Sequence, residues 1–444
     1  MARTKAVLGN AARLTDYLGA SLLARIYPAD LIAQLLDAHQ CNSQRLRDFP
    51  ATAVVYYTMS LSLYPEAAYG SVFDAVAQGL AWRDKQDAPA TLKAPSISVA
   101  RSRLPWQMFK DLQERSCQPM ASLSTCPDAF YQGLRLMAIE GSNFEIPDEP
   151  DNVKAFGRPG SRTGVAGYPQ AQCAILVECA THAVVGANIG AYRDAEWTVC
   201  KPLLDRMDSS MLCLADRGFD AYAYWCSAKA TGAQLLWRCD SNRKLPVLQG
   251  LPDGSFISEI RPGKALARDK TCLPVRVRVI EYCLEGDKNT KDGKKIKDAK
   301  SIKTKESVAD ALVDSDTDTP ARGVGTDTAT RYRLLSTLLD PVQAPGLELA
   351  KLYHQRWEVE GVFDELKTHL RQSKRVFRSK TPDLVRQEFY GWVMAHYAVR
   401  WLMAGAAAKH SKIPRELSFV ANTHLLRSAQ PHSGAFPPSA AKTA

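Results

Sequence analysis

The segment "LYHQRWEVEGVFDELKTHL", residues 352–370, is a run of good helix formers that carries four functional side chains at regular intervals. They are Tyr353, Arg356, Glu360 and Lys367. At about 100° per residue, the last three lie roughly 60°, 20° and 40° behind Tyr353, so an α-helix would align all four on one narrow stripe. A neighbouring stripe of apolar residues can face a core: Leu352, Val359, Phe363, Leu366 and Leu370.

The chemistry of the polar stripe favours contact with a phosphodiester. A carboxylate can hold a metal ion, while nearby cations and a phenol can hold backbone oxygens. The alternative is a surface helix on which Arg356 and Glu360 form an i,i+4 ion pair worth about 0.3–0.5 kcal/mol.

Length and composition indicate a large globular protein. With 444 residues and 45% hydrophobic content, the chain can bury a sizeable core and is expected to form two or three domains. No apolar run reaches the roughly 18 residues of a membrane span, and the opening "MARTKAVLGNAARL" shows no clear export signal. The eleven cysteines are scattered singly from Cys41 to Cys283, which favours reduced thiols over disulfides or a zinc site. We therefore expect a cytoplasmic protein.

The charge balance favours a polyanionic partner, because the formal net charge is +10. Seven cations lie between residues 367 and 386, at the end of the motif segment and directly after it, and Asp383 is the single acid there. They are Lys367, Arg371, Lys374, Arg375, Arg378, Lys380 and Arg386. A solvated face is the alternative, but contact with phosphates is the expectation, and such contact would be strongly salt-dependent.

Residues 1–125 are predicted to form a helical N-terminal DNA-binding domain. Their apolar residues recur at helical spacing and are interrupted by Pro28, Pro50 and Pro65. Within this region, "PSISVARSRLPWQMFKDL" carries Arg101 and Arg103. This basic helix is open to two interpretations, either part of a helix-turn-helix reader of DNA or ordinary surface.

Short β-rich apolar runs begin near residue 130 and predict a mixed α/β layer over residues 130–245. Two of the runs end in acids, "LRLMAIEGSNF" at Glu140 and "SSMLCLADRGF" at Asp216. Sites assemble at the edge where strands of an open α/β sheet end. If Glu360 joined these two acids, they could share two Mg²⁺ ions about 4 Å apart, as in a nuclease. Each acid could instead cap the turn that follows it.

A second β pattern covers residues 246–340. In "LPVRVRVIEYCL", Arg276 and Arg278 alternate with valines, which predicts a sheet exposed on one face. Residues 285–330 have almost no bulky apolar content and switch from basic to acidic, so they are predicted to be a flexible insertion. Residues 341–425 return to a helical pattern, and residues 426–444 are predicted to be a disordered tail.

Taken together, these motifs resemble the insertion-sequence-four family of bacterial DDE transposases, whose signature is Y-x2-R-x3-E-x6-K. Tyr353, Arg356, Glu360 and Lys367 match it at every spacing. The resemblance extends to "IEGSNFEIPDEPDNVKAFGRPGS", to "LADRGFDAYAYW" and to the helical N-terminal region. It covers nearly the whole chain apart from the charged insertion and the tail.

The resemblance implies an α/β fold, an RNase H-like mixed sheet flanked by helices, with a β-rich insertion after the second acid and an all-helical N-terminal domain. It implies that Glu140, Asp216 and Glu360 are the catalytic acids and hold two Mg²⁺ ions, for which Mn²⁺ can substitute. The residues expected to contact DNA are Tyr353, Arg356, Lys367, Trp357, Arg371, Lys374 and Arg375. Trp357 would stack on an unpaired base, with core packing as the alternative.

The sequence departs from the family at its first acid. Glu140-Gly141-Ser142 stands where the family has Asp-Gly-Thr or Asp-Gly-Ser. The extra methylene moves the carboxylate by about 1 Å, and a shift on that scale can cost roughly a hundredfold in rate.

The function implied is that of a transposase that binds the terminal inverted repeats of its element, cleaves their ends by metal-dependent hydrolysis and joins the 3′ ends to target double-stranded DNA. A homodimer is expected when the two ends are synapsed. The alternatives are a transposase-derived DNA-binding protein that no longer cuts, and a host nuclease that cuts without joining.

Overall fold

The fold is described from a computed structural model. It describes residues 22–43, 49–84, 92–160, 167–240, 242–263, 272–284, 302–304, 331–371 and 376–428. The tail beyond residue 428, and the charged insertion apart from residues 302–304, lie outside these ranges, so the predictions made for them stay predictions.

Helices come first along the chain, strands with a few helices follow from residue 130, and helices return after residue 345. In chain order the helices are α1 (Ala29–Ala38), α2 (Ala51–Leu63), α3 (Tyr69–Asp84), α4 (Ala94–Ser102), α5 (Trp106–Ser116), α6 (Pro150–Phe156), α7 (Glu196–Cys200), α8 (Tyr222–Ala230), α9 (Gly346–Tyr353), α10 (Trp357–Asp364), α11 (Pro382–Lys409) and α12 (Phe419–Ser428). The strands are β1 (Phe130–Tyr131), β2 (Leu134–Glu145), β3 (Gln170–Glu178), β4 (Ala183–Ala191), β5 (Met211–Ala215), β6 (Gln234–Arg238), β7 (Gln249–Gly250), β8 (Phe256–Ile260), β9 (Val275–Leu284), β10 (Ile302–Thr304) and β11 (Arg331–Ser336). None of the helices in the described ranges is both long and apolar enough to cross a membrane.

The chain divides into two compact units. The first comprises Met1–Ala129, Gly141–Leu203 and Val359–Ala444, and the second comprises Phe130–Glu140 and Leu204–Glu358. The domain boundaries drawn from the sequence stay a prediction.

The core of the first unit is built around α11, the 28-residue helix. Helix α2 is apolar on all sides and nearly all of its residues are buried, as expected of a helix inside a core. The two helices approach closely at Gly391, where a Cβ atom would lie 2.8 Å from the carbonyl oxygen of Thr58. Tyr27 adds a hydrogen bond of 2.8 Å from its hydroxyl to the Met394 carbonyl. Helices from both ends of the chain therefore share one core.

Helix α4 in the first unit corrects the interpretation of Arg101 as a reader of DNA bases. The side chain is 2% exposed. Its Nη2 atom donates to Ser379 Oγ and to the Leu384 carbonyl, both at 3.1 Å. Arg101 is therefore a core residue, whereas Arg103 at the end of the same helix is exposed.

Strands β3 and β4 form an antiparallel pair in the first unit, next to β2. Nearly every residue of β3 is buried, which explains its continuous apolar run.

In the second unit the strand order is β2-β5-β6-β11-β9-β8-β7. The pairs β2–β5 and β5–β6 are parallel, and the other pairs along this order are antiparallel. The predicted fold class is confirmed: an RNase H-like α/β mixed sheet with flanking helices, and further antiparallel strands after the second acid.

Strand β9 contradicts one expectation about its exposed face. Arg276 is exposed as predicted, but Arg278 on the same face is fully buried. The loop at residues 338–344 supplies carbonyl acceptors that cover it. Alternation with valine therefore predicted the exposure of Arg276 correctly and that of Arg278 wrongly.

Candidate active site

Two carboxylates lie beside the point where the parallel pairing of β2 and β5 stops. Asp216 directly follows β5, but Glu140 lies inside β2, which continues to Glu145, so the prediction that the first apolar run ends at Glu140 is wrong. Strands β2 and β5 pair with Ala138 opposite Leu214. Ala138–Leu214 is the last pair of this register; continued by two residues, the same register would set Glu140 opposite Asp216, on strands about 4.8 Å apart. Because side chains alternate between the two faces of a strand, both acids point to the same face.

The local sequence explains why Asp216 lies at the end of a strand. All five residues of β5 are buried, and Asp216 follows directly where the strand ends. Its Oδ1 accepts a hydrogen bond of 2.7 Å from the Gly218 backbone N–H and caps the 3₁₀ turn Arg217–Phe219. The capping role considered for Asp216 is therefore present in the structure.

Glu140 is paired with an arginine of the signature motif. Arg356 Nη1 donates to Glu140 Oε2 at 2.7 Å. Arg356 is 6% exposed, and its guanidinium carbon lies 4.7 Å from the centre of the Trp357 ring. Removing the positive charge would leave the half-buried Glu140 carboxylate without this partner.

Tyr353 lies beside the end of β5. Its hydroxyl donates to the carbonyl oxygen of Ala215, the residue before Asp216, at 3.1 Å. Burial raises the pKa of the Tyr353 phenol, although the charge of Arg356 opposes that shift. The phenol is therefore protonated at neutral pH and can act as a hydrogen-bond donor.

The signature motif does not form the single α-helix that its spacing predicts. The chain runs as α9, a 3₁₀ turn at His354–Arg356, helix α10 and a π-helix at Glu365–Leu370. The number of residues per turn changes at each junction, so the four side chains do not follow one straight helical stripe. Trp357 is 49% exposed, which rules out the core-packing alternative for its ring.

The remaining motif residues lie in the first unit. Glu360 is half-buried on α10. On the π-helix, Lys367 donates to Ser142 Oγ and, at 2.7 Å, to the Asn143 carbonyl. Arg371 is half-buried, with its guanidinium carbon 5.7 Å from the centre of the Trp392 ring. Lys374 and Arg375 lie outside the described residues.

Glu140 and Asp216 have the right chemistry to bind a hard divalent cation, since carboxylate oxygens are the ligands that Mg²⁺ and Mn²⁺ prefer. Among the described residues, no three His, Cys, Asp or Glu side chains lie close enough together to hold a metal ion. Glu140 and Asp216 therefore lie on or next to paired strands, while a shared metal site of these acids with Glu360 stays a prediction.

Sequence reasoning missed several residues around the motif. Ser142 and Asn143 hold Lys367, and Glu365 binds a buried group of His182, His396 and Arg400. Only Glu365 lies within the motif segment, and nothing in the sequence spacing connects it to its partners. None of the eleven cysteines, all of which lie in the described ranges, forms a disulfide bond.

Family comparisons agree with this arrangement of strands and motif. The model described as "Transposase DDE domain" matches residues 131–398, and that described as "Insertion element 4 transposase N-terminal" matches residues 18–114. The first match covers more than half of the chain, so the protein belongs to the DDE transposase family. The resemblance inferred from the signature is confirmed.

One curated relative is the transposase InsG for insertion sequence element IS4 of Escherichia coli (strain K12). It is 26% identical over 329 residues, which cover 73% of this chain and 65% of InsG. The match thus spans less than two thirds of that relative's length. Among solved structures, a cryo-EM structure of the piggyBac transposase synaptic complex with hairpin DNA aligns with a TM-score of 0.44 at 8% identity, over 91% of this chain and 78% of that chain.

Proposed function

We propose that this transposase binds the terminal inverted repeats of an insertion sequence as double-stranded DNA, cleaves the ends by metal-dependent hydrolysis and joins the 3′ ends to target DNA. Both steps are phosphoryl transfers, in which the protein supplies positioning and charge. The observation that carries the proposal is the pair of acids on the adjacent parallel strands β2 and β5, Glu140 within β2 and Asp216 directly after β5, with Arg356 and Tyr353 bonded beside them.

In this proposal Glu140, Asp216 and Glu360 hold two divalent cations, Mg²⁺ or Mn²⁺ in its place. When bound, the cations would lower the pKa of a water molecule and neutralise charge on the leaving oxygen. Glu360 belongs to the first compact unit, whereas Glu140 and Asp216 belong to the second. That Glu360 joins these two acids is therefore part of the proposal.

The other motif residues supply donors for DNA phosphates. Tyr353, Arg356 and Lys367 now donate to protein oxygens, so phosphate oxygens would compete for these donors as DNA binds. Arg371 is proposed to add charge along the backbone, and so are Lys374 and Arg375. The exposed ring of Trp357 is proposed to stack on an unpaired base at a distorted end.

The proposal is tested with purified protein, the inverted repeats that flank its gene and Mg²⁺ or Mn²⁺. The protein should nick this DNA, and Asp216→Ala and Glu360→Ala should each abolish nicking. Asp208→Ala is the matched control for Asp216, because Asp208 is an exposed acid just before the opposite end of β5. Asp364→Ala is the control for Glu360, since it removes a partly exposed acid one turn further along α10. Unchanged cleavage in both active-site variants would refute the proposal.

A second candidate is a DNA-binding protein descended from a transposase that no longer cuts. The observation that favours it is the ion pair of Arg356 with Glu140, which engages the longer acid that replaces the usual Asp. Nicking by the unchanged protein excludes this candidate. An inert protein that gains strong cleavage on Glu140→Asp supports it.

Homodimer formation and a cytoplasmic location complete the proposal. Two transposon ends must be held together before joining, so sedimentation should show a complex with two protein chains and two DNA ends. A strand-transfer product in the same reaction would distinguish a transposase from a nuclease that only cuts.

A further inference from the structure

A buried polar cluster in the first unit contacts the helix that carries Glu360 and Lys367. Its members are Glu365, His182, His396 and Arg400, each less than a tenth exposed. His396 Nε2 lies 2.8 Å from Glu365 Oε2, and Arg400 Nε donates to the same oxygen at 2.9 Å. His182 Nδ1 lies 3.0 Å from Glu365 Oε1 and 2.6 Å from Arg400 Nη2. Every member therefore makes at least one polar contact with another member.

The electrostatics of the cluster favour an ionised Glu365. Burial alone would raise the pKa of its carboxyl, but the interactions with His182, His396 and Arg400 bring that pKa well below its ordinary value. Burial lowers the pKa of His396, so its imidazole is neutral near pH 7. A buried carboxylate and guanidinium are costly to desolvate and often no better for stability than apolar packing. Stability alone therefore gives a weak reason for this cluster.

The cluster touches the proposed catalytic helix at two places. Glu365 is the first residue of the π-helix Glu365–Leu370, which carries Lys367. His182 packs beside Gly361, the residue after Glu360, where a Cβ atom would lie 3.4 Å from His182 Cε1. The group thus contacts the helix next to both motif residues of this unit.

The π-helical turn is contacted by a side chain from another helix. Such turns are rare and occur mostly as single turns within α-helices. Here Arg371 N–H donates to the Leu366 carbonyl at 3.1 Å, and Trp392 Nε1 donates to the same oxygen at 3.2 Å. The extra residue in the turn changes the direction of the side chains after Asp364, including Lys367, whose Nζ reaches the Asn143 carbonyl.

We propose that Glu365 is a positioning residue for DNA cleavage. Held by His182, His396 and Arg400, it fixes the π-helical turn and thereby directs Lys367 toward the end of β2, where Ser142 and Asn143 lie. This inference rests on the proposed function, because Lys367 is the residue through which Glu365 acts.

A double-mutant cycle tests this dependence. Glu365→Gln should lower the cleavage rate about tenfold in the parent protein but less than twofold in a Lys367→Ala background. Glu388→Gln is the matched control, since Glu388 is a buried carboxylate of the same unit that accepts from the Arg378 N–H at 3.1 Å. Any loss it causes should be the same in both backgrounds. An equal loss from Glu365→Gln in both backgrounds would overturn the proposal.

A second measurement needs neither DNA nor activity. The indole N–H of Trp392 reports on the π-helical turn, because it donates to the Leu366 carbonyl. In ¹⁵N-indole spectra assigned with Trp392→Phe, Glu365→Gln should shift this signal and speed its hydrogen exchange. If Glu365→Gln does not fold because the charge of Arg400 is left buried and unbalanced, His396→Leu loosens Glu365 without changing the charge. An inactive parent protein would refute the proposed function alone, whereas an unmoved Trp392 signal would refute the positioning.

Discussion

Replacing Arg278 by methionine should destabilise the second unit strongly. Arg278 is fully buried on β9. Its Nε donates to Ser255 Oγ at 2.8 Å, its Nη1 to the Ala344 carbonyl at 2.5 Å, and its Nη2 to Asp253. Asp253 Oδ2 in turn accepts a hydrogen bond of 2.8 Å from the N–H of Gly346, the first residue of α9. The arginine thus links β8, β9 and the start of the helix that ends in Tyr353.

The expected loss of stability follows from leaving these acceptors without their donor. Methionine fills similar space but donates nothing, so Asp253 would lose its charged partner and the loop carbonyls their hydrogen bonds. Removing one partner of a buried ion pair costs about 3–5 kcal/mol. At about 1.4 kcal/mol for each factor of ten, local opening of β9 should become more frequent by about 100- to 4,000-fold.

Hydrogen exchange measured by mass spectrometry checks this locally, without assuming that the whole chain unfolds in one step. Arg276→Met is the matched control, because Arg276 lies two residues earlier on the same strand but is exposed. It should change the free energy of opening by less than about 0.5 kcal/mol. If Arg278→Met accelerated exchange in β9 no more than Arg276→Met, the reasoning from buried contacts would be wrong.

Three further predictions concern the site and its support. Trp357→Ala should leave thermal stability nearly unchanged, because the ring is 49% exposed. It should weaken binding to DNA ends with an unpaired base by about 5- to 150-fold, because stacking is worth about 1–3 kcal/mol per base. Fluorescence anisotropy measures this binding, and equal weakening on fully paired DNA would contradict the stacking role. Tyr353→Phe should cost about 1 kcal/mol of stability through the lost bond to Ala215 and should slow nicking, and a variant that nicks at the parent rate would remove Tyr353 from the mechanism. Burial opposes the charged form of Asp253, yet hydrogen bonds from Ser255 and Gly346 and the charge of Arg278 bring its pKa below the ordinary 3.8. The stability that the Asp253 carboxylate contributes is therefore complete above its unfolded pKa and is lost as the pH falls through the lowered folded pKa. In urea titrations from pH 2 to 6, the free energy of unfolding should decline less steeply toward acid in Asp253→Asn than in the parent protein. Identical declines in the two proteins would exclude this contribution.

Much of the fold was predictable because apolar runs and their interruptions are local properties. Strand β5 is a short, fully buried run ended by an acid, and the sequence placed Asp216 at its end for that reason. The predictions failed where a distant segment decided the environment. Arg278 alternates with valines like a surface residue, but the loop at residues 338–344 covers it. Arg101 has the spacing of a basic surface helix, but Leu384 and Ser379 lie over it.

The helical segment of the motif shows a related limit. Its residue types and spacing identified the family, yet they could not predict a change from α to π winding at Glu365. That change is accompanied by hydrogen bonds from Trp392 and Arg400, which lie 26 and 35 residues further along the chain. A helical wheel has no information about such partners.

By itself, the sequence determined the order of helices and strands, the acid at the end of β5 and the family, because each depends on residues close together in the chain. The tertiary structure alone decided that β2 and β5 pair in parallel, with Ala138 opposite Leu214, and that Arg356 reaches across 216 residues to pair with Glu140. The physical reason is that residue spacing records which side chains share a face of one element. Which distant elements then meet is set by the packing of the whole core.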